Sequence, residues 1–111
     1  MNEQKVVNLL GFASRMRKII FGKDNIREYI RNPKRRAKFI IIASDVGDSI
    51  KEDTIKRCRS HHVPYVLLKE YTKNELGRSL GKDEISVVGV LDENIVKGIL
   101  EVVNAGGDSN V

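Results

Sequence analysis

The chain has 111 residues, of which 41% are hydrophobic and 32% charged, and its formal net charge is +5. Such a composition indicates one ordinary globular domain and excludes both a disordered tail and a chain with two separate cores. No apolar run approaches the roughly 20 residues of a membrane-spanning helix, residues 1–5 lack the apolar core of a signal peptide, and the single cysteine excludes an internal disulfide.

The first part of the chain predicts two helices on either side of a short strand. The first helix would begin after Asn2, which can cap it, and end near Ser14. Residues 19–21 would form a short apolar strand, which Gly22 separates from a second helix over residues 23–31. The apolar positions recur at three- and four-residue spacing and are Val6, Leu9, Leu10 and Ala13 in the first helix and Ile26, Tyr29 and Ile30 in the second.

The middle of the chain predicts the central strand of a sheet, followed by a helix. Residues 39–43 are an uninterrupted apolar run rich in β-branched side chains, which is typical of a strand covered on both faces. Residues 45–48 would make a turn, and Ser49 and Glu52 have the spacing of a capping box that begins a third helix. The side chains expected to point inward from that helix are those of Ile50, Ile55 and Cys58.

The last part of the chain predicts two further buried strands and two helices. The strands cover residues 65–68 and 85–91. Between them, Thr72 begins a short helix with a second capping box, and that helix ends before Gly81. Asp92 can cap the final helix.

Strands that alternate with helices predict an α/β fold, here a three-layer α/β/α sandwich with a small mixed sheet. The single domain would cover residues 1–103, and residues 104–111 would form a flexible tail. The periodicity of the apolar residues does not give the order of the strands.

Positive charge is concentrated in residues 15–38, which hold ten of the twenty Lys and Arg residues but only two acids. Within the second helix, three bases lie four residues apart and should form a stripe on the solvent side: Lys23, Arg27 and Arg31. The helix starts after Gly22, where unpaired amides and the helix dipole favour anions. With the basic run at residues 34–38, this predicts binding of nucleic acid, and the alternative is a solvated charged face.

Two other groups of polar residues allow a functional interpretation. Asp45 and Asp48 follow the central strand and could hold Mg²⁺ as in a phospho-acceptor domain, but shaping a turn and a helix start is the preferred interpretation. His61 and His62 could bind a metal, but without further ligands at suitable spacing we expect an exposed turn. No hydrolase, dinucleotide or phosphate-loop motif is present in the sequence.

Several motifs along the chain resemble one family. They are LLGFASR at residues 9–15, a glycine that opens a helix at residue 22, IASD at residues 42–45, VPY at residues 63–65 and ELGRSLG at residues 75–81. In this order and spacing, from about residue 6 to residue 103, the chain is similar to the family of ribosomal proteins L7Ae and L30e, and in particular to its small bacterial members.

The resemblance implies a three-layer α/β/α fold, no catalysis, and binding of kink-turns, which are RNA bends built on tandem sheared G·A pairs. In such proteins the glycine and the first turn of the following helix enter the opened major groove, which undistorted A-form RNA hides. A late loop packs on a flipped-out nucleotide. The matching positions are Gly22, Lys23, Asp24 and Asn25 in the helix motif and Gly81, Lys82, Asp83 and Glu84 in the late loop.

The chain also departs from the family pattern. Strong kink-turn binders tend to have Gly-Thr-Asn-Glu at the helix motif and a lysine at the position of Glu28. Asn25 can still donate to and accept from a base edge, whereas Asp24 and Glu28 only accept and would repel phosphates. The late loop lacks the apolar residues that pack on the flipped-out nucleotide. We therefore expect weaker affinity and altered base recognition, with phosphate binding retained.

The sequence thus predicts a cytoplasmic, monomeric, non-enzymatic protein of ribosomal-protein type that binds structured RNA, such as ribosomal RNA or another kink-turn RNA. It requires no cofactor, metal or membrane. The residues expected to contact RNA are Gly22, Lys23, Asp24, Asn25, Arg27, Arg31, Arg35, Arg36, Gly81 and Lys82. The alternative is a ribosome-associated or protein-interaction module that uses the same basic surface without kink-turn selectivity.

Overall fold

The computed structural model describes residues 1–105, which form five helices and four strands. The helices are α1 (Glu3–Arg15), α2 (Lys23–Arg31), α3 (Asp48–Ser60), α4 (Lys73–Ser79) and α5 (Glu93–Ala105), and the strands are β1 (Ile19–Phe21), β2 (Ile40–Ile42), β3 (Tyr65–Leu67) and β4 (Val87–Val90). Over this range, no helix has both the length and the apolar character needed to cross a membrane.

The four strands form one mixed sheet in the order β1-β4-β2-β3. Strand β4 is antiparallel to both of its neighbours, and β2 is parallel to β3. Helices α2 and α3 pack together, while α1 packs with α5 and α4. This arrangement confirms the predicted α/β/α sandwich, and the fully buried isoleucines of β2 confirm that residues 39–43 supply an inner strand.

The topology gives the sheet two edges with different loops. Because β1, β2 and β3 run in the same direction, α2 and α3 both begin at the edge where these strands end. We call this the carboxyl edge, and it includes residues 22–25, 43–49 and 81–86. The opposite edge, the amino edge, includes residues 16–18, 32–38, 61–64 and 91–92.

Tyr29 and Gly89 fix α2 on the sheet. A Cβ atom at Gly89 would lie 2.8 Å from a ring carbon of Tyr29, so only glycine leaves room for the ring. The buried Tyr29 hydroxyl accepts from the amides of Phe39 and Val90, at 2.9 and 3.2 Å, and it lies 2.6 Å from the Val90 carbonyl, to which it donates. Burial raises the pKa of Tyr29. The phenol is therefore a structural group, as the apolar pattern of α2 predicted.

Three helices end with the same backbone motif. In α1, α3 and α4 the residue after the last turn has a positive φ, and the next amide donates to a carbonyl five residues back. These left-handed residues are Arg17 at 58°, His62 at 57° and Gly81 at 74°. The motif satisfies carbonyl groups that would otherwise lack partners.

Helix α3 starts differently from the prediction. Gly47 is its N-cap, without a side-chain hydrogen bond, so the capping box predicted at Ser49 and Glu52 is wrong. Ile50, predicted to point inward, is 48% exposed. It lies one turn before the buried Thr54 on the same face, but in the first turn that face borders an open cleft rather than the core.

The last two strands are shorter than predicted, and one is less buried. Strand β3 is half-buried because it lies at the end of the sheet, so the expectation of full burial is wrong. In β4 the ladder covers Val87–Val90 only, and the Ile85 amide donates to the Lys73 carbonyl instead. At the C-terminus, Asn104 and Ala105 belong to α5, and the rest of the predicted tail lies outside the described residues.

Candidate nucleic-acid interface

The turn between β1 and α2 exposes backbone at the start of a helix. Gly22, the N-cap of α2, has φ 97° and ψ 144° and offers no side-chain cap to the helix amides. A side chain at this φ would be strained. Lys23 and Asp24 are exposed, and neither makes an ion pair within residues 1–105. The first turn of α2 is therefore open to an approaching anion.

Asn25 is positioned by the strand that precedes its helix. Its side-chain amide donates to the Phe21 carbonyl at 3.0 Å, across the turn at Gly22. One of its two donors is therefore used within the protein, and the side-chain oxygen remains as an acceptor. This bond holds Asn25 at the exposed end of α2, at the position predicted to face a base edge.

The late loop, residues 81–84, lies against the end of β1. The Lys82 ammonium is 5.7 Å from the centroid of the Phe21 ring, within the range of a cation–π interaction. Gly77 allows this placement, because a Cβ atom there would lie only 2.6 Å from the Glu84 Cα atom. The structure thus brings together Gly22 and Lys82, which are far apart in sequence.

Arg27 does not continue a solvent-facing stripe from Lys23. Its guanidinium is 3.3 Å from the Asp53 carboxylate of α3, which also accepts from Arg57 at 3.0 Å. The Nε atom of Arg27 is buried without a hydrogen-bond partner. The hydrogen bond from Arg57 and the charges of both arginines hold the pKa of Asp53 below its usual value. Arg27 is therefore half-buried between two helices, and Lys23 is the exposed base of α2 at the carboxyl edge.

A cleft of about 540 Å³ opens between α2 and α3 at the carboxyl edge. Its mouth is next to both candidate segments, since Gly22, Lys23 and Glu84 contribute to the wall. No local pattern in the sequence indicates this cleft, because its apolar lining comes from separate parts of the chain. Six residues supply that lining: Phe21, Ile26, Ile30, Ile50, Ile85 and Val87.

The remaining predicted contacts lie away from this cleft. Arg31 is the last residue of α2, and Arg35 and Arg36 follow it at the amino edge. Arg31 and Arg36 are exposed, whereas Arg35 is half-buried, donates to the Leu91 carbonyl at 3.3 Å, and lies 5.9 Å from the Tyr29 ring. The predicted site is therefore divided between two ends of the molecule.

The other polar groups have structural roles. Asp45 accepts from the Lys73 amide at 2.7 Å and so stabilises the start of α4, which supports the turn interpretation. Glu3, which no sequence pattern singles out, is a buried carboxylate that accepts from the amides of Lys69 and Glu70 at 2.8 and 2.9 Å. His61 and His62 are exposed, and no group of three metal-ligating side chains occurs in the part of the chain that the structure describes.

Comparisons with known proteins match this fold over most of the chain. A family model described as "Ribosomal protein L7Ae/L30e/S12e/Gadd45 family" matches residues 4–103. The chain is 32% identical over 96 residues to "RNA-binding protein YlxQ" of Bacillus subtilis, covering 86% of this chain and 92% of that protein. It is 30% identical over 102 residues to the protein of the same name from Enterococcus faecium, with 92% and 94% coverage.

Two solved structures have the same fold as this chain. A protein of unknown function from Bacillus halodurans superposes with a TM-score of 0.79 at 27% identity, covering 90% of this chain and 97% of that one. The "15.5kD RNA binding protein" of Giardia lamblia has the same fold, with a TM-score of 0.73 at 24% identity and coverage of 93% and 88%. The chain belongs to the ribosomal protein L7Ae/L30e/S12e/Gadd45 family.

Proposed function

We propose that this protein binds structured, kink-turn-like RNA at its carboxyl edge and catalyses no reaction. The bacterial relatives that cover most of the chain are named RNA-binding proteins, and the proposal extends that property to this chain. The observation that carries the assignment of the surface is the contact between Lys82 and the Phe21 ring. It joins the late loop to the exposed first turn of α2, the two segments that the family resemblance associates with RNA.

Each part of the carboxyl edge has a distinct role in the proposal. Gly22 lets a nucleotide approach the backbone closely, while Lys23 and Lys82 contact phosphates on either side. Asn25 accepts from or donates to a base edge in the distorted groove. The apolar cleft next to these residues offers space for a nucleotide that is flipped out of the stack.

The acidic residues of α2 oppose strong selectivity. Asp24 and Glu28 are exposed, and neither forms an ion pair within residues 1–105. Both would repel phosphates that come close to the first turns of the helix. We therefore expect kink-turn binding that is weaker than that of family members with Gly-Thr-Asn-Glu, and still selective because the backbone at Gly22 is unobstructed.

Selectivity is tested with two RNAs that differ only in shape. One carries a standard kink-turn, and in the other the G·A pairs are replaced by Watson–Crick pairs. We expect the kink-turn RNA to bind at least about tenfold more tightly, or roughly 1.4 kcal/mol, in titrations at several salt concentrations. Equal affinities with a steep salt dependence would contradict shape recognition and favour an electrostatic surface.

The surface is tested with a double variant, Lys23→Ala with Lys82→Ala. Each phosphate contact contributes about 0.7 to 0.9 to the slope of log K against log salt, so the slope should fall by roughly 1.5. The matched control is Lys5→Ala with Lys97→Ala, which removes the same charge from exposed positions on α1 and α5. If both double variants behave alike, the carboxyl edge is not the RNA-binding surface.

The proposal places a monomer in the cytoplasm, on ribosomal RNA or on another RNA with a kink-turn. The alternative partner is a ribosome-associated or acidic protein. The observation that favours this alternative is the absence of Gly-Thr-Asn-Glu, the motif of strong kink-turn binders. Nuclease treatment of a lysate distinguishes the two partners. RNA-mediated partners should be released by nuclease, whereas partners that remain bound would support direct protein docking.

A further inference from the structure

The amino edge concentrates positive charge on the side of the molecule opposite to the proposed interface. Two of its loops, residues 16–18 and 32–38, contain six Lys and Arg residues and no acid. Helix α2 separates these bases from Gly22, and its nine residues span about 13 Å at the usual helical rise. An RNA contact at the first turn of α2 therefore leaves the amino edge uncovered.

Hydrogen bonds join the basic loops into one surface. The Leu91 amide donates to the Lys18 carbonyl at 2.8 Å, and the Arg35 guanidinium donates to the Leu91 carbonyl at 3.3 Å. Residues 16–18 and 32–38 therefore lie on either side of Leu91. On the other flank, the Ile40 amide donates to the Pro64 carbonyl at 3.0 Å, which places the loop at residues 61–64 beside the start of β2.

Most of these cations are not used by the fold. Lys38 donates to the Ile30 carbonyl at 2.8 Å, which, like the contacts of Arg35, is an internal role. In contrast, four bases are exposed and make no ion pair within residues 1–105: Arg17, Lys18, Lys34 and Arg36. Helix dipoles favour cations in the last turn of a helix, but these four residues lie in loops beyond the helix ends.

The backbone gives a second, independent indication. Arg17 and His62 occupy left-handed positions on the amino edge, where glycine would be free of strain. The equivalent position after α4 is Gly81, on the carboxyl edge. Arg17 thus keeps a cation where glycine would relieve the strain, and strained residues of this kind are found at positions where the side chain has a role beyond folding.

We propose that the amino edge is a second RNA-binding surface, which holds the phosphate backbone of a duplex segment separate from the RNA at the carboxyl edge. Among the described residues of this edge, Met16 is the one large apolar side chain that is exposed, at 48%, and the loops at residues 32–38 and 61–64 expose none. Protein interfaces need a cluster of such anchors, whereas phosphate contacts need only accessible cations. Phosphate binding here is independent of the proposed function, but holding two RNA segments at once rests on it.

The test uses a triple variant of the amino edge, Arg17→Gly with Lys34→Gln and Arg36→Gln. The first substitution relieves a strained backbone, and the other two affect exposed side chains, so the fold is retained. The matched control is Lys5→Gln with Lys56→Gln and Lys97→Gln, which removes three charges from exposed positions within α1, α3 and α5. The probe is a labelled RNA duplex of about 16 base pairs without a kink-turn, a length that spans two minor grooves.

Duplex binding is measured by fluorescence anisotropy at several salt concentrations. We expect the amino-edge variant to bind at least about tenfold more weakly than wild type, with a salt slope reduced by about 2 to 3, while the control changes little. The carboxyl-edge variant, Lys23→Ala with Lys82→Ala, should keep its affinity for the duplex. One equivalent of unlabelled kink-turn RNA, which fills the carboxyl edge without an excess of duplex stems, should leave duplex binding to wild type intact.

Three outcomes would overturn the proposal. The amino-edge variant could bind the duplex as tightly as wild type, the control could lose as much affinity as the amino-edge variant, or only the carboxyl-edge variant could lose duplex binding. A wild-type protein that does not prefer kink-turn RNA would instead contradict the proposed function of the carboxyl edge. Failure of the present proposal is therefore seen with the duplex RNA, and failure of the proposed function is seen with the kink-turn RNA.

Discussion

At the scale of single residues, two of the three helix ends at α1, α3 and α4 have a strained residue where glycine would be unstrained. All three ends need a left-handed residue, but only α4 has glycine there, at position 81. An L-residue in this conformation brings its Cβ close to the following carbonyl oxygen and costs roughly 1 to 2 kcal/mol. Arg17 and His62 therefore reduce the stability of the protein.

We predict that Arg17→Gly and His62→Gly each stabilise the protein by about 0.5 to 1 kcal/mol. Relief of the left-handed strain is partly offset by the greater freedom of glycine in the unfolded chain. Urea denaturation measures the free energy of unfolding, and Gly81→Ala is the reciprocal control, which should lose stability. A decrease for either glycine variant would show that the native side chain makes a stabilising contact that outweighs the strain.

Cys58 gives a second prediction at this scale, because burial raises the pKa of its thiol from 9.0 to about 11. The folded protein should react with iodoacetamide at pH 8 at least about a hundredfold more slowly than the urea-unfolded chain, since thiolate is the reactive form. The raised pKa also stabilises the fold fully below pH 9, and this contribution is lost as the pH rises towards 11. Equal labelling rates in the two states would contradict the burial of Cys58.

At the scale of elements, the sequence is most informative where a local pattern decides the structure. Helix α2 has the predicted bounds, because Gly22 and the approach of Pro33 limit it on both sides and its apolar face is regular. The Thr72 capping box is present with both of its hydrogen bonds. The Ser49 box is absent, because Gly47 is already extended and the helix begins at Asp48.

Local sequence patterns do not predict the contacts between helices and strands. Arg27 lies on the predicted solvent side of α2, yet it pairs with Asp53, 26 positions later in the chain. The proximity of Lys82 to Phe21 depends on the register of β1 against β4, which apolar periodicity does not supply. Local patterns therefore predict the residue types of the candidate site, whereas the grouping of Gly22 with Lys82 was available only from the family resemblance.

The late loop depends on one close contact between elements, which gives a third prediction. A Cβ atom at Gly77 would lie 2.7 Å from the Asp83 carbonyl oxygen, so Gly77→Ala must displace the loop. We expect a loss of about 1 to 3 kcal/mol in stability and, because Lys82 moves with the loop, a kink-turn RNA affinity reduced several-fold.

The control for this prediction is Gly47→Ser on the same edge. A Cβ atom there meets no other atom within 4 Å, and serine is a favourable N-cap for α3. Stability is measured by urea denaturation and RNA binding by titration, with both variants at equal concentration of folded protein. Unchanged RNA affinity for Gly77→Ala in a destabilised protein would separate the late loop from RNA binding.

At the scale of the whole molecule, the strand order explains why one basic stretch of sequence forms two surfaces. Residues 15–38 run from the end of α1 through β1 and α2 to β2, so they cross the sheet once in each direction. Their cations are consequently left at opposite edges, with Lys23 at one and Arg17 and Arg36 at the other. The charge count along the sequence identified the positive stretch, but it did not indicate that its cations lie at two opposite edges of the sheet.

The concentration of cations at the amino edge also has a thermodynamic consequence. The loops at residues 16–18 and 32–38 hold six Lys and Arg residues and no acid, so their charges repel one another. Burial and then the nearby Arg35 charge lower the pKa of Lys38, and Glu28 opposes this shift. Self-repulsion of this kind destabilises the folded state, and salt screens it over a Debye length of about 10 Å at 0.1 M. Stability without RNA should therefore rise with potassium chloride, by an amount of the order of 1 kcal/mol between about 0.02 and 0.3 M.

The triple variant Arg17→Gly, Lys34→Gln and Arg36→Gln distinguishes this repulsion from a general effect of salt. With three cations removed from the amino edge, added chloride should raise the temperature of thermal unfolding less than it does in wild type. Relief of the strained backbone at Arg17 also raises that temperature at low salt, so the salt dependence is the measure of the repulsion. The charge-matched control, Lys5→Gln with Lys56→Gln and Lys97→Gln, should keep the salt dependence of wild type, because those lysines are spread over three helices. An identical salt dependence in all three proteins would mean that the amino edge carries no excess repulsion.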